Sequence, residues 1–143
     1  MAYFFGCRKK NTVFEVSLCD CGDGWHCIDS IPSLDNLTQL VRLGKLSIHE
    51  FRIAFYWLIT GVPGRIEFGR LRSAEGFNFE SQSGRQKARD VAERKLGTQR
   101  IEFLDNVILK GRITLDALPS LRATLRDLIN AWRTHRARDA ASA

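Results

Sequence analysis

Capping residues and glycines divide the chain from residue 33 onward into stretches whose apolar side chains recur at helical spacing, and this pattern limits the fold most. Ser33 is the predicted N-cap of a first helix, which ends at Gly44. Ser47, with Glu50 three residues later, is the signature of a capping box and predicts a second helix that ends at Thr60. Such a chain has to bury helical stripes against one another.

The second of these helices is apolar over most of its circumference. Its main stripe consists of Ile48, Phe51, Phe55, Leu58 and Ile59. Ile53, Tyr56 and Trp57 lie off that stripe. A helix of this kind either lies in the core or docks a partner, and we favour the core for the helix as a whole. If it does dock a partner, Tyr56 and Trp57 are the candidate partner-binding residues.

Residues 86–137 are predicted to form a helical bundle. Its last helix begins after Ser120 and has one apolar face, formed by Leu121, Leu125, Leu128, Ile129 and Trp132. A short helical piece, Thr114–Leu118, precedes it and is stopped by Pro119. This order of short helix, turn and longer helix is typical of a helix-turn-helix motif.

The other segments carry weaker patterns. Residues 1–31 are predicted to form a β-meander, because Phe14, Val16 and Leu18 alternate before the turn residues 22–24. Residues 65–85 have no helical periodicity and are interpreted as a basic loop or linker, and residues 138–143 as a frayed tail. The predicted fold class is therefore α+β and mostly helical, with the β-meander packed on a helical hairpin formed by residues 32–64.

Four cysteines in the N-terminal segment raise the question of zinc. Cys19 and Cys21 are too close for the usual zinc knuckle, and a strand over residues 13–19 would separate Cys7 from them by about 20 Å. Cys27 can face Cys19 across the hairpin. We expect reduced packing cysteines and no cofactor; a redox role and a zinc site stay open, and the zinc ligands would be Cys19, Cys21 and Cys27.

The net charge is distributed unevenly. Residues 1–64 carry six Lys or Arg and six Asp or Glu, whereas residues 65–143 carry sixteen and ten, so the second half holds the whole excess of +6. A basic half joined to a neutral half is typical of nucleic-acid binding, and also of proteins that merely stay soluble.

The basic residues of the second half give the candidate nucleic-acid-binding set. It consists of Arg70, Arg72, Arg85, Lys110, Arg112, Arg122, Arg126, Asn130, Arg133 and Arg136. The sequence has no paired catalytic carboxylates, phosphate-binding loop or nucleophile elbow, so we expect a binding protein and not an enzyme. It also lacks a signal-peptide pattern and an apolar run long enough for a membrane span, which predicts a cytoplasmic protein. If it binds DNA, we expect it to be nucleoid-associated.

Two stretches resemble a known class of proteins. The first runs through residues 33–37, 43–46 and 51–54, and the second through residues 92–97, 104–111 and 125–132. Together they resemble small regulators of phages, prophages and gene transfer agents, whose C-terminal domain is helix-turn-helix-like and distantly similar to a domain of sigma factors. The resemblance covers about two-thirds of the chain.

The resemblance implies a DNA-binding transcription regulator or antiterminator-like factor. Its partners would be double-stranded DNA and RNA polymerase or another protein, and a homodimer stays open. The alternative is a phage-encoded, non-enzymatic inhibitor of a host enzyme or defence complex, similar in action to an anti-CRISPR protein.

Overall fold

The protein is described from a computed structural model, which defines the backbone of residues 2–4, 25–27, 32–62, 65–67 and 74–142. Side chains are defined for residues 34–62, 66 and 75–141. This part of the chain is mostly helical. It contains the α-helices α1 (Pro32–Arg42), α2 (Ile48–Thr60), α3 (Gln82–Leu96), α4 (Thr98–Leu104) and α5 (Leu118–Ser142). No helix in the described ranges is both long enough and apolar enough to cross a membrane.

Three short strands form a parallel sheet. They are β1 (Ala2–Phe4), β2 (Trp25–Cys27) and β3 (Arg65–Glu67), in the order β2-β1-β3. Ile66 of β3 is fully buried, and its backbone N–H donates a hydrogen bond to the carbonyl of Glu80. The strand predicted over residues 12–18 lies outside the described residues, so the β-meander stays a prediction.

The predicted start of α2 is confirmed in detail. The Ser47 hydroxyl accepts a hydrogen bond from the Glu50 backbone N–H, and the Glu50 carboxylate accepts one from the Ser47 N–H. These bonds satisfy two amides that the helix itself leaves unpaired. The orientation of the helix differs from the prediction, because Ile53, Tyr56 and Trp57 are buried while Ile48 is exposed. Tyr56 and Trp57 are therefore core residues, and their assignment to a partner-binding surface is wrong.

The core is one continuous cluster that joins α1 and α2 to the later helices. The predicted inner face of α5 is confirmed, since its five apolar side chains are all buried. Trp132 lies at the centre, where it is fully buried and its indole N–H donates a 3.0 Å hydrogen bond to the Ala88 carbonyl of α3. This bond allows a polar group to be buried at the crossing of α3 and α5 without a desolvation cost.

Part of the predicted basic loop is folded into this core. Phe77 and Phe79 are buried. The centre of the Phe79 ring lies 5.1 Å from the ring centre of Tyr56 in α2 and 5.6 Å from that of Trp132 in α5. Ser81 caps α3 through the Gly84 N–H, so the helix begins at Gln82 and not at residue 86. Residues 77–81 are therefore an inserted aromatic segment between α2 and α5, and the description of residues 65–85 as a loop or linker is wrong for this part.

The helix-turn-helix prediction is also wrong. The predicted short helix is a 3-10 turn, Leu115–Ala117, which runs directly into α5 without an intervening turn. Pro119 is tolerated in the first turn of α5, because an N–H at that position has no partner within the helix. At the other end, α5 continues to Ser142, through the residues predicted as a frayed tail.

The end of α4 is tied to α2 and α3 by one carboxylate. α4 continues into a π-helical turn, Asp105–Leu109. The Asp105 carboxylate accepts two hydrogen bonds from the Arg89 guanidinium, at 3.0 and 2.7 Å, and one from the Trp57 indole N–H at 3.1 Å. The Arg89 guanidinium also lies over the Trp57 ring, 4.6 Å from its centre. Three helices thus converge on Asp105.

Candidate nucleic-acid interface

One side of α5 carries a row of exposed arginines. Arg122, Arg126 and Arg133 lie within about 40° of one another around the helix axis, at 100° per residue, and they extend over about 17 Å along it. The buried side chains of Leu121, Leu125, Leu128 and Trp132 lie on average about 100° from this row around the axis, so the row lies along the edge of the buried face, where it is exposed. With Arg136 of α5 and Arg52 of α2 it forms a surface that we call the arginine flank.

The first arginine of the row is bonded to the start of α2. Arg122 Nε donates a 2.8 Å hydrogen bond to Glu50 Oε2, while the other oxygen of that carboxylate completes the capping box. Partial burial raises the pKa of Glu50, but the hydrogen bonds from Arg122 and Ser47 outweigh it, so the pKa is lower than usual. Glu50 is therefore ionised near neutral pH and orients Arg122, whose side chain stays 51% exposed.

The other end of the row is organised by Glu75. This residue has a positive φ of 53° and a side chain only 7% exposed, and it lies between Arg52 at 3.8 Å and Arg133 at 3.6 Å. Both arginine side chains remain 54% exposed. Next to Glu75, the backbone of Gly76 is so close to Arg136 that an added Cβ would lie 3.2 Å from its Cβ atom.

Arg126 lies between these two ion-paired positions. It has no ion pair with any residue that the structure describes, and it lines a depression of about 240 Å³ together with Arg122, Glu50 and His49. The flank holds five arginines and two carboxylates, a formal excess of three positive charges. Because the carboxylates lie beneath the arginines, the charge that faces solvent is positive.

The other residues of the predicted nucleic-acid-binding set do not all lie on the arginine flank. Asn130, exposed on the next turn of α5, borders the flank. Lys110 and Arg112 are exposed on a separate segment, which contacts α1 through a hydrogen bond from Asn36 to the Gly111 carbonyl. Arg70 and Arg72 lie outside the described residues.

Among the predicted nucleic-acid contacts that lie in the described residues, Arg85 is contradicted by the structure. Its side chain is buried at 1% exposure, and its guanidinium donates hydrogen bonds to the carbonyls of Phe79 and Glu80. Burial lowers the pKa of this guanidinium, but an arginine remains charged at neutral pH. Arg85 therefore satisfies the irregular backbone of the aromatic segment and cannot reach a phosphate.

Sequence reasoning missed three residues of the flank: Arg52, Glu50 as an ion-pair partner, and Glu75. Arg52 had a signal, because a charged side chain in the largely apolar helix α2 is expected to face solvent. Glu75 had none, since nothing in the sequence places it beside α5. The cysteine side chains lie outside the described residues, and among the residues described no group of His, Cys, Asp or Glu is placed to hold a metal ion.

Comparisons of the chain with protein-family models, with curated proteins and with solved structures find no match. The resemblance to phage and gene-transfer-agent regulators therefore stays a prediction, and the case for a function depends on the chain itself.

Proposed function

We propose that the protein is a regulator that binds double-stranded DNA through the phosphate backbone, with the arginine flank as its contact surface. The observation that supports this most is the row of Arg122, Arg126 and Arg133, exposed along the edge of the buried face of α5. Arginines pair with phosphate oxygens in two parallel hydrogen bonds. Glu50 holds Arg122 in place through a 2.8 Å hydrogen bond, which reduces the ordering cost of binding at that position.

The geometry favours phosphate contacts over base reading. α5 packs along its length on α2 and α3, and its arginines lie at the edge of its exposed face, whereas a recognition helix enters the major groove with its base-reading residues projecting from the centre of that face. Phosphate contacts position a protein on DNA without reading sequence. We therefore assign transcriptional selectivity, whether by activation, repression or antitermination, to a second partner such as RNA polymerase.

The test is a salt titration of binding to a random-sequence duplex, followed by fluorescence anisotropy. The logarithm of the affinity should fall linearly with the logarithm of the salt concentration, and Arg126→Gln should reduce the slope by about one. Lys45→Gln removes an exposed cation from the α1–α2 corner and is the matched control, with an unchanged slope. A folded Arg122/Arg126/Arg133 triple alanine variant that binds the duplex as well as the parent would refute the proposal.

The second candidate is an inhibitor that binds a host protein. Its support is a pair of exposed apolar side chains, Leu43 at 67% and Ile48 at 76% exposure, at either end of the α1–α2 corner. DNA binding has no use for an apolar corner, whereas protein interfaces do. Binding to a protein at 1 M salt, abolished by Leu43→Asp and Ile48→Asp, with no duplex binding at low salt, would favour the inhibitor.

A further inference from the structure

A second group of cations lies on the other side of α5. Arg94 and Lys95 of α3 and Arg138 of α5 line one depression of about 230 Å³, with Val91 and His135 completing its wall. Arg138 lies about 140° from Arg133 around the axis of α5, at 100° per residue, so this depression is separate from the arginine flank. We call it the α3 pocket.

None of the three cations has an ion pair with a residue in the described part of the chain. The nearby carboxylate of Asp139 is already engaged, since it lies 3.2 Å from His135 Nε2 and 3.9 Å from Lys87 Nζ. Arg94 and Lys95 are each favoured by the negative end of the α3 dipole. That explanation does not extend to Arg138, which reaches the same depression from another helix.

The wall of the pocket includes a stacked pair of rings. The His135 ring stacks on Phe77 at 5.6 Å between ring centres, with an angle of 9° between the planes. Its Nε2 atom is buried, and although it lies close to Asp139 it makes no hydrogen bond of good geometry to a described residue. The His135 ring is therefore held against Phe77 as part of the wall, with its Nε2 atom buried beside Asp139.

We infer that the α3 pocket binds a phosphate group. Three like charges around one small depression repel one another, and an anion with two negative charges relieves this repulsion. A phosphate offers several acceptor oxygens to Arg94, Lys95 and Arg138 at once, and charge-assisted hydrogen bonds of this type are the strong ones. The group can belong to a free phosphoanion or to a nucleic-acid backbone.

The experiment compares two double variants that lose the same charge. Arg94→Gln/Lys95→Gln removes two cations of the pocket, and Arg42→Gln/Lys45→Gln removes one arginine and one lysine from the α1–α2 corner. Each protein is titrated with inorganic phosphate and, separately, with a short duplex, while ¹H–¹⁵N spectra report the signals of the α3 pocket. Arg138→Gln, near the exposed end of α5, serves as a second pocket variant if the first does not fold.

Phosphate should shift the pocket signals in the parent and the control, and the pocket variant should bind it about tenfold more weakly. Shifts with the duplex alone, again lost in the pocket variant, would also support the site and would identify the backbone as the source of the phosphate. No shift with either probe, or an equal loss in both double variants, would overturn the inference. Arg126→Gln should leave phosphate binding at the α3 pocket unchanged. The experiment therefore separates a failure of the phosphate site from a failure of DNA binding by the arginine flank.

Discussion

Replacement of Asp105 by alanine should destabilise the fold far more than an ordinary half-buried polar substitution. The Trp57 side chain is fully buried, and Asp105 Oδ1 accepts the hydrogen bond of its indole N–H. Leaving a buried donor unpaired costs about 1–3 kcal/mol. The Arg89–Asp105 pair is 22% and 27% exposed, so its loss should cost about 1–2 kcal/mol, between the values for surface and buried pairs.

The expected total for Asp105→Ala is therefore about 2–5 kcal/mol. Asp105→Asn keeps an oxygen for the Trp57 N–H but loses the charge and the oxygen that accepts from Arg89 Nη2, and it should cost about 1–2 kcal/mol. Glu102→Ala removes an exposed carboxylate from α4 and should stay within about 0.5 kcal/mol of the parent. The free energies come from urea unfolding followed by tryptophan fluorescence, with the slope compared between proteins.

A double-mutant cycle separates the two contributions. Arg89→Met removes the guanidinium and leaves the Trp57 bond intact, so the double variant Arg89→Met/Asp105→Ala should lose less than the sum of the single variants. The reasoning is refuted if Asp105→Ala and Asp105→Asn are equally stable, or if the two single losses are additive.

Four other predictions address single positions. Trp132→Ala should cost about 3–5 kcal/mol in urea unfolding, since it empties the crossing of α3 and α5; a loss below about 1 kcal/mol would contradict the burial. Gly84→Ala should destabilise α3 despite the better helix propensity of alanine, because an added Cβ would lie 1.9 Å from the Asn78 carbonyl oxygen; a stability gain would contradict that contact. The pKa of Glu50 is lower in the folded protein than in the unfolded chain, where it is about 4.3. The ionised carboxylate therefore stabilises the fold at pH values above about 4.3, and this stabilisation is lost as the pH falls through the folded pKa. Glu50→Gln should therefore flatten the acid limb of the stability curve, and an unchanged limb would count against it. Glu75→Gln should raise duplex affinity about two- to fivefold, equivalent to the ~0.5–1 kcal/mol of an exposed ion pair, by freeing two arginines of the flank; weaker binding would show that Glu75 mainly orients them.

Much of the helical framework was predictable because its signals are local. The capping box at Ser47 and the inner face of α5 depend on residues within a few turns of one another, and both are confirmed. Ile101, Leu104, Val107 and Ile108, which recur at helical spacing after Gly97, are buried as well, although the helix ends in a π-helical turn that the spacing does not indicate.

The errors share a different origin, which is long-range packing. Tyr56 and Trp57 face inward because the aromatic segment and Asp105 meet them there, and neither contact has a sequence signature. The same holds for Arg85. Its charge predicts a surface position, but its guanidinium is bonded to the carbonyls of Phe79 and Glu80. In the candidate site, the outward row of arginines followed from helical spacing, but its carboxylate supports did not.

The position of Phe79 has a consequence for the chain while it is being synthesised. Its two closest aromatic partners, Tyr56 and Trp132, lie 23 residues before it and 53 residues after it. At a synthesis rate of about 5–20 residues per second, Trp132 is added roughly 3–10 s after Phe79. During this interval the aromatic segment has only half of its binding site, and the rings that will close the core are open to solvent and to other chains. The nascent protein therefore passes through a stage in which Phe77 and Phe79 cannot yet be buried against α5.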